Sequence, residues 1–160
     1  MIPGEFNTTV NYNVTASGEL TEWLTGLSSH LQLQPENNRI EYPETFASGF
    51  AKVYDIEPCL SYRVVEYILN TDYVFTRPPS NKFFLFIYFY QYSNSPKLIV
   101  SVNNEVVIDS DDTRYSTLLM TNSFSTQVLD LRKGTTVKGL TIQLSEDWLK
   151  EKIQHPETAR

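Results

Sequence analysis

The chain has 160 residues, of which 41% are hydrophobic and 20% charged, and it carries a net charge of −6. At roughly 150 residues per domain this is a single domain, with the composition of a folded globular protein rather than a disordered one. The acidic balance excludes a phosphate-neutralising surface, so neither direct nucleic-acid binding nor an anionic-membrane patch is expected.

The start, Met1-Ile-Pro-Gly-Glu-Phe6, has neither a basic nor an apolar region of the kind a signal peptide needs. The sequons at Asn7 and Asn13 therefore read as chance occurrences in an Asn/Thr-rich lead-in. Leu20, Trp23, Leu24, Leu27 and Leu31 then recur at the spacing of one helical face. Ser17 is the expected N-cap, with Glu19 in the first turn, and Pro35-Glu-Asn-Asn38 ends the segment.

From Arg39 the period changes. Ile40–Tyr42, Gly49–Ile56, Leu60–Leu69, Tyr73–Arg77, Phe83–Tyr92, Lys97–Val102, Val106–Asp109, Tyr115–Thr121, Thr126–Leu131 and Thr136–Leu144 read as strands. They are rich in β-branched and aromatic residues and are separated by Pro, Asn, Asp, Gly or Ser clusters. Asn103-Asn104 suits a tight hairpin turn, and Arg132-Lys-Gly134 reads as another. So many short strands predict a β-sandwich or a jelly-roll barrel. Phe83–Tyr90 shows no polar alternation, so both of its faces are expected to be covered. At eight residues it is also the longest apolar run, too short to cross a bilayer. A second helix follows, with Ser145 as N-cap, Glu146 and Asp147 in its first turn, and Pro156 as its stop.

Chemistry-bearing clusters are scarce. The two histidines, His30 and His155, lie off the predicted strands, so no metal site is expected. No serine sits in a G-x-S-x-G elbow. The single cysteine, Cys59, rules out an internal disulfide and reads as a core residue or an inert edge thiol. Asp109-Ser-Asp-Asp112 lacks the glycine and distal glutamate of a calcium loop and reads as a solvated acidic turn. On Leu60–Leu69 one face carries Tyr62, Val64, Glu66 and Ile68, and the other Arg63, Val65 and Tyr67. Both faces are mixed, so the period does not say which is interior. A small-molecule pocket would use Tyr62, Glu66, Tyr88 and Tyr90, with Arg63 in the other register. The alternative is ordinary core tyrosines with Arg63 and Glu66 at the surface.

The segments Asn38–Phe50, Leu60–Arg77 and Gly134–Leu149, in this order and after the helix Gly18–Leu31, resemble the N-terminal sensor domain of AraC-type transcription regulators, those of the Bacteroidetes type in particular. The resemblance implies a mainly-β, cupin-like double-stranded β-helix (a jelly-roll barrel) flanked by an N-terminal and a C-terminal helix. Residues 1–38 would be the lead-in and a helix packed on the barrel, 39–144 the sensor core, and 145–160 the C-terminal helix and tail of the same domain. It also implies a domain that binds a small effector, a sugar among the candidates, or mediates homodimerisation, or does both, while the missing signal peptide makes the cytoplasm the expected compartment. DNA would be bound only through a helix-turn-helix half absent from this chain. Trp148, Leu149 and Ile153 would form the dimer or relay face, or simply seal the barrel. The histidines and glutamate of enzymatic cupins have no counterpart on these strands, so no catalysis and no cofactor are expected. A carbohydrate-binding β-sandwich using the tyrosines to stack on sugars is the alternative.

Overall fold

In the computed structural model the described residues are 9–10 and 19–154, and their strands fall into two sheets. The elements in chain order are β1 (Thr9–Val10), α1 (Leu20–His30), β2 (Arg39–Glu41), β3 (Ala47–Glu57), β4 (Leu60–Leu69), β5 (Tyr73–Arg77) and β6 (Phe84–Ser93). They continue with β7 (Leu98–Val102), β8 (Glu105–Ser110), β9 (Arg114–Asn122), β10 (Gln127–Leu131), β11 (Thr136–Ser145) and α2 (Glu146–Gln154).

One sheet has the order β1-β5-β10-β7-β8 and the other β2-β3-β4-β11-β6-β9. This corrects the expected jelly-roll barrel. A barrel needs its edge strands paired to each other, and among the described residues β1, β8, β2 and β9 each have a neighbour on one side only. The described residues form a mainly-β fold of two open sheets and two helices. The Arg132-Lys-Gly134 turn is likewise not a hairpin, because β10 and β11 belong to different sheets. Gly134, at φ +86°, turns the chain from one layer to the other. The Lys133 N–H fastens that crossing by donating to Asp72 Oδ1 at 2.8 Å. Asn103 and Asn104, at φ +50° and +67°, do close a hairpin in which Val102 faces Glu105.

The core lies between the layers. On β4 the odd residues Arg63, Val65, Tyr67 and Leu69 are buried, whereas Glu66 and Ile68 are exposed. On β6 the even residues from Phe84 to Tyr92 form a buried row of five aromatic rings. Such side chains each bury roughly 150–250 Å² and dominate core energetics. The other face of β6 differs from expectation. Phe89 is 44% exposed there, and its cross-strand neighbours continue the apolar surface with Leu118 and, beside Ile87, Met120. Uniform hydrophobicity in β6 thus reflects one face in the core and one apolar face open to solvent.

The helix α1 presents Leu20, Trp23, Leu24 and Leu27 to the core, as their spacing predicted. Ser17, the expected cap, lies outside the described residues. Glu19 takes the N-cap position rather than the first turn, with extended backbone angles of −70° and 146°. The first turn of a helix leaves backbone N–H groups without intrahelical partners. That of Leu20 donates to the buried Gln143 Oε1 at 3.1 Å, a side chain 123 residues away. At α2 the expected cap is present: the Trp148 N–H donates to Ser145 Oγ at 3.1 Å. Among the described residues no helix is long and apolar enough to cross a membrane.

Candidate functional site

Three strands of the six-stranded sheet bring a polar cluster into an otherwise aromatic interior. Thr141 on β11 faces Arg63 on β4 and Tyr88 on β6, and Gly139 faces Val65 and Tyr90. Because side chains alternate with period two, Arg63, Tyr88, Tyr90, Thr141 and Gly139 share the inner face. One Arg63 guanidinium nitrogen donates to Tyr90 Oη at 2.9 Å and to Thr141 Oγ1 at 3.0 Å. The two hydroxyls are themselves 3.1 Å apart. The guanidinium also lies 4.1 Å from the centre of the Trp23 ring of α1, a cation–π contact.

Gly139 is what allows this geometry. A Cβ there would stand 2.5 Å from Tyr90 Cε1 and 2.6 Å from Cζ, so the phenol ring lies directly over the glycine. Gly139→Ala is expected to lift the Tyr90 ring and part its hydroxyl from Arg63. The cost should be about 1–3 kcal/mol, the ordinary range for overpacking. Thermal unfolding would read the loss, and NMR shifts of the Tyr90 ring would read the displacement. A variant as stable as the parent with unmoved Tyr90 signals would refute it.

A second arginine enters from the opposite sheet. Arg77, at the end of β5, is buried, donates to the Asn122 carbonyl at 3.1 Å and lies 4.8 Å from the Phe86 ring centre. Among the described residues, neither Arg63 nor Arg77 takes part in any ion pair. The Nε of each is buried without a hydrogen-bond partner.

Between the sheets lies a cavity of about 60 Å³, lined by Trp23, Arg63, Tyr67, Tyr73, Tyr88 and Tyr90 among others. A smaller one of about 20 Å³ adjoins it, with both Arg63 and Arg77 in its wall. Trp23, Arg63, Phe75 and Tyr88 are common to the two walls. Burial pushes the phenols of Tyr67, Tyr73, Tyr88 and Tyr92 above their ordinary pKa, so they are neutral donors at neutral pH. Burial alone would lower the pKa of Arg63. The Tyr90 and Tyr88 oxygens and the Tyr90 hydrogen bond outweigh that, and the guanidinium stays charged.

The residues proposed from sequence separate into two groups. Arg63, Tyr88 and Tyr90 meet inside, and Arg63 does so because the odd face of β4 is the buried one. Tyr62 and Glu66 stand on the outer face: Tyr62 stacks on Tyr54 at 4.6 Å between ring centres, and Glu66 pairs with Lys138 at 3.0 Å. On α2, Trp148 donates its indole N–H to Glu57 Oε1, Leu149 is half-buried and Ile153 is 76% exposed. Sequence reasoning missed Trp23, Arg77, Gly139 and Thr141. For Arg77 the signal was its place on the same alternating face as Tyr73 and Phe75. His30 and Cys59 are both exposed, and His155 lies outside the described residues. Asp109 and Asp111 share Lys97 as an ion-pair partner. No group of three or more His, Cys, Asp or Glu side chains that could hold a metal ion occurs among the described residues.

No protein-family model matches the chain, and no curated protein matches it. Among solved structures it is similar to the plu4264 protein from Photorhabdus luminescens, with 11% identity over 78% of this chain and 94% of that one and a TM-score of 0.44. It is similar to the cupin domain of Schizosaccharomyces pombe Cnp3, with 12% identity, 66% of each chain covered and a TM-score of 0.42. A family 35 carbohydrate-binding module from Clostridium thermocellum aligns with 15% identity over 57% of this chain and 90% of that one, at a TM-score of 0.22. With likeness this distant, the chemistry of the site is read from its own residues.

Proposed function

We propose that the chain is a small-ligand-binding domain without catalytic activity, the sensor half of an AraC-type regulator. The observation that carries it is the interior cavity, where a charged guanidinium and several phenols line a space closed on one side by α1. Buried polar groups cost free energy unless partnered, and a polar ligand in the cavity would supply the acceptor that the buried Arg63 Nε–H lacks among the described residues. A ligand entering there would touch Trp23 of α1 and could shift that helix relative to the sheets. Only a difference in affinity for the two arrangements makes this a switch. In the same reading α2, with Ile153 outward, leads toward a DNA-binding half and contributes to a dimer.

Thermal unfolding in the presence of sugars, carboxylic acids and neutral amides tests the binding role. A ligand selective for the native state raises the apparent stability, so at least one compound is expected to raise the Tm in proportion to the logarithm of its concentration. Flat melting temperatures across all three classes would refute ligand binding. Two helix-turn-helix units encoded in frame after Arg160 would support the regulator, and an immediate stop codon would sink it.

One observation favours a carbohydrate-binding module instead. Tyr54 and Tyr62 stack almost parallel, at 10°, on the outer face with Lys52 over the Tyr54 ring, and the face of Tyr62 turned away from Tyr54 is one against which a sugar ring could stack. Retention on an insoluble polysaccharide that Tyr62→Ala abolishes would decide for that reading.

A further inference from the structure

The two interior arginines point to the chemical class of the ligand. An isolated buried charge is costly, and proteins ordinarily pair it with an opposite charge. This chain has nineteen acidic residues, yet among the described residues none forms an ion pair with Arg63 or Arg77. Each arginine is only 8% exposed. The hydrogen bonds they make are to neutral oxygens: Tyr90 and Thr141 for Arg63, the Asn122 carbonyl and the Tyr88 phenol for Arg77. Among the described residues each still has a buried Nε–H with no acceptor. Two cations from opposite sheets thus share the wall of one small cavity with donor capacity to spare.

We propose that this cavity receives the carboxylate of a small organic acid, its head between Arg63 and Arg77 and its remainder among the tyrosines of the larger cavity. The inference rests on the ligand-binding reading above and narrows it. The wall selects the anion. Around the two guanidinium groups it is made of Trp23, Phe75, Phe86 and Tyr88, and a singly charged carboxylate costs less to strip of water there than a doubly charged phosphate or sulfate. The adjoining cavity of about 60 Å³ takes the organic remainder of the acid. The phenols and Thr117 on its wall can hydrogen-bond a hydroxyl or keto group there. Guanidinium forks match carboxylates in geometry as well as charge, which is why arginine serves here better than lysine would.

The test is thermal unfolding of the full chain with propionate, lactate and 2-oxobutyrate, against propionamide, lactamide, neutral sugars and inorganic phosphate, at constant ionic strength. At a hundredfold excess over its Kd a carboxylate is expected to raise the Tm by about 5–10 °C, with the amides and phosphate inert. Arg77→Met and Arg63→Met should each abolish the carboxylate shift. Without ligand, Arg77→Met should melt no lower than the parent, because an apolar side chain relieves an uncompensated buried charge. A merely structural arginine would instead lower the unliganded Tm and leave the shift intact. Should Arg63→Met fail to fold through loss of its Tyr90 and Thr141 bonds, Arg77→Met alone decides. Shifts from amides or sugars but not acids would overturn the carboxylate and leave ligand binding standing. No shift from any compound would overturn both.

Discussion

A chain carrying Gly49→Ala is expected to lose about 3–5 kcal/mol of stability, the sum of a disfavoured backbone conformation and overpacking. Gly49 sits on β3 at φ +141°, where L side chains are rarely found. A Cβ there would stand 2.1 Å from the Glu66 carbonyl oxygen and 2.6 Å from the Tyr67 Cα. Both are backbone atoms of β4, the strand paired with β3, so no rotamer change relieves the clash. The strands would have to part where Gly49 faces Tyr67 and where the Gly49 carbonyl accepts the Tyr42 N–H at 2.9 Å. At about 2–4 °C per kcal/mol for a chain of this size, the Tm should fall by roughly 10 °C. A urea midpoint that drops with an unchanged m-value would show a loss of stability rather than a change in the unfolded state. A loss within 1 kcal/mol would mean that the strand pairing yields more readily than this geometry allows. The effect reaches the site, since the same strand pairing places Val53 beside Arg63.

Comparison of Gly49 with Gly139 shows where sequence reading stops. Neither glycine announces its role: one is demanded by a neighbouring backbone, the other by an aromatic ring 49 positions earlier in the chain. What sequence expresses well is local. The helical spacing of Leu20, Trp23, Leu24 and Leu27 led to the correct face of α1. The Asn103-Asn104 turn was legible because asparagine tolerates positive φ. Leu60–Leu69 and Tyr73–Arg77 are strands with the bounds their composition suggested.

Non-local facts were hidden for physical reasons. Sheet membership depends on which strands find each other, so the β10–β11 turn looked like a hairpin although it joins two layers. The acceptor for the Leu20 N–H of α1 comes from Gln143, far outside any capping window. The inner face of β4 was ambiguous because Arg63 and Tyr67 are no more apolar than Tyr62 and Glu66. Only burial separates them. β6 misled in the opposite direction: continuous apolar residues suggested cover on both sides, whereas Phe89 is open to solvent. Arg63 and Arg77 come together only once β4 and β5 lie in facing sheets, so a paired cationic site could not be read from spacing along the chain.

The phenols of that interior set the alkaline limit of the fold. Tyr67, Tyr73, Tyr88 and Tyr92 are neutral in the native chain, and burial raises the pKa of each above its ordinary value. In the unfolded chain they ionise near pH 10, as free tyrosines do. Below that pH both states hold these protons, and stability does not depend on them. Above it the unfolded chain releases protons that the native chain keeps, so stability falls as pH rises. Four groups at about 1.4 kcal/mol per pH unit each give a slope of at most roughly 5 kcal/mol per unit. A domain stable by about 5–15 kcal/mol should therefore unfold about one to three units above pH 10. Urea midpoints taken every half unit from pH 8 should stay level on this account up to about pH 10 and then drop steeply. The ultraviolet absorbance of tyrosinate should rise in a late step that coincides with loss of the far-ultraviolet circular dichroism. Tyr73→Phe removes one titrating group and should reduce the slope by about a quarter. Tyrosinate formed by these four residues in a chain that keeps its circular dichroism would show that the cavity admits hydroxide and water freely. A carboxylate bound among the phenols would then have to compete with bulk solvent for Arg63.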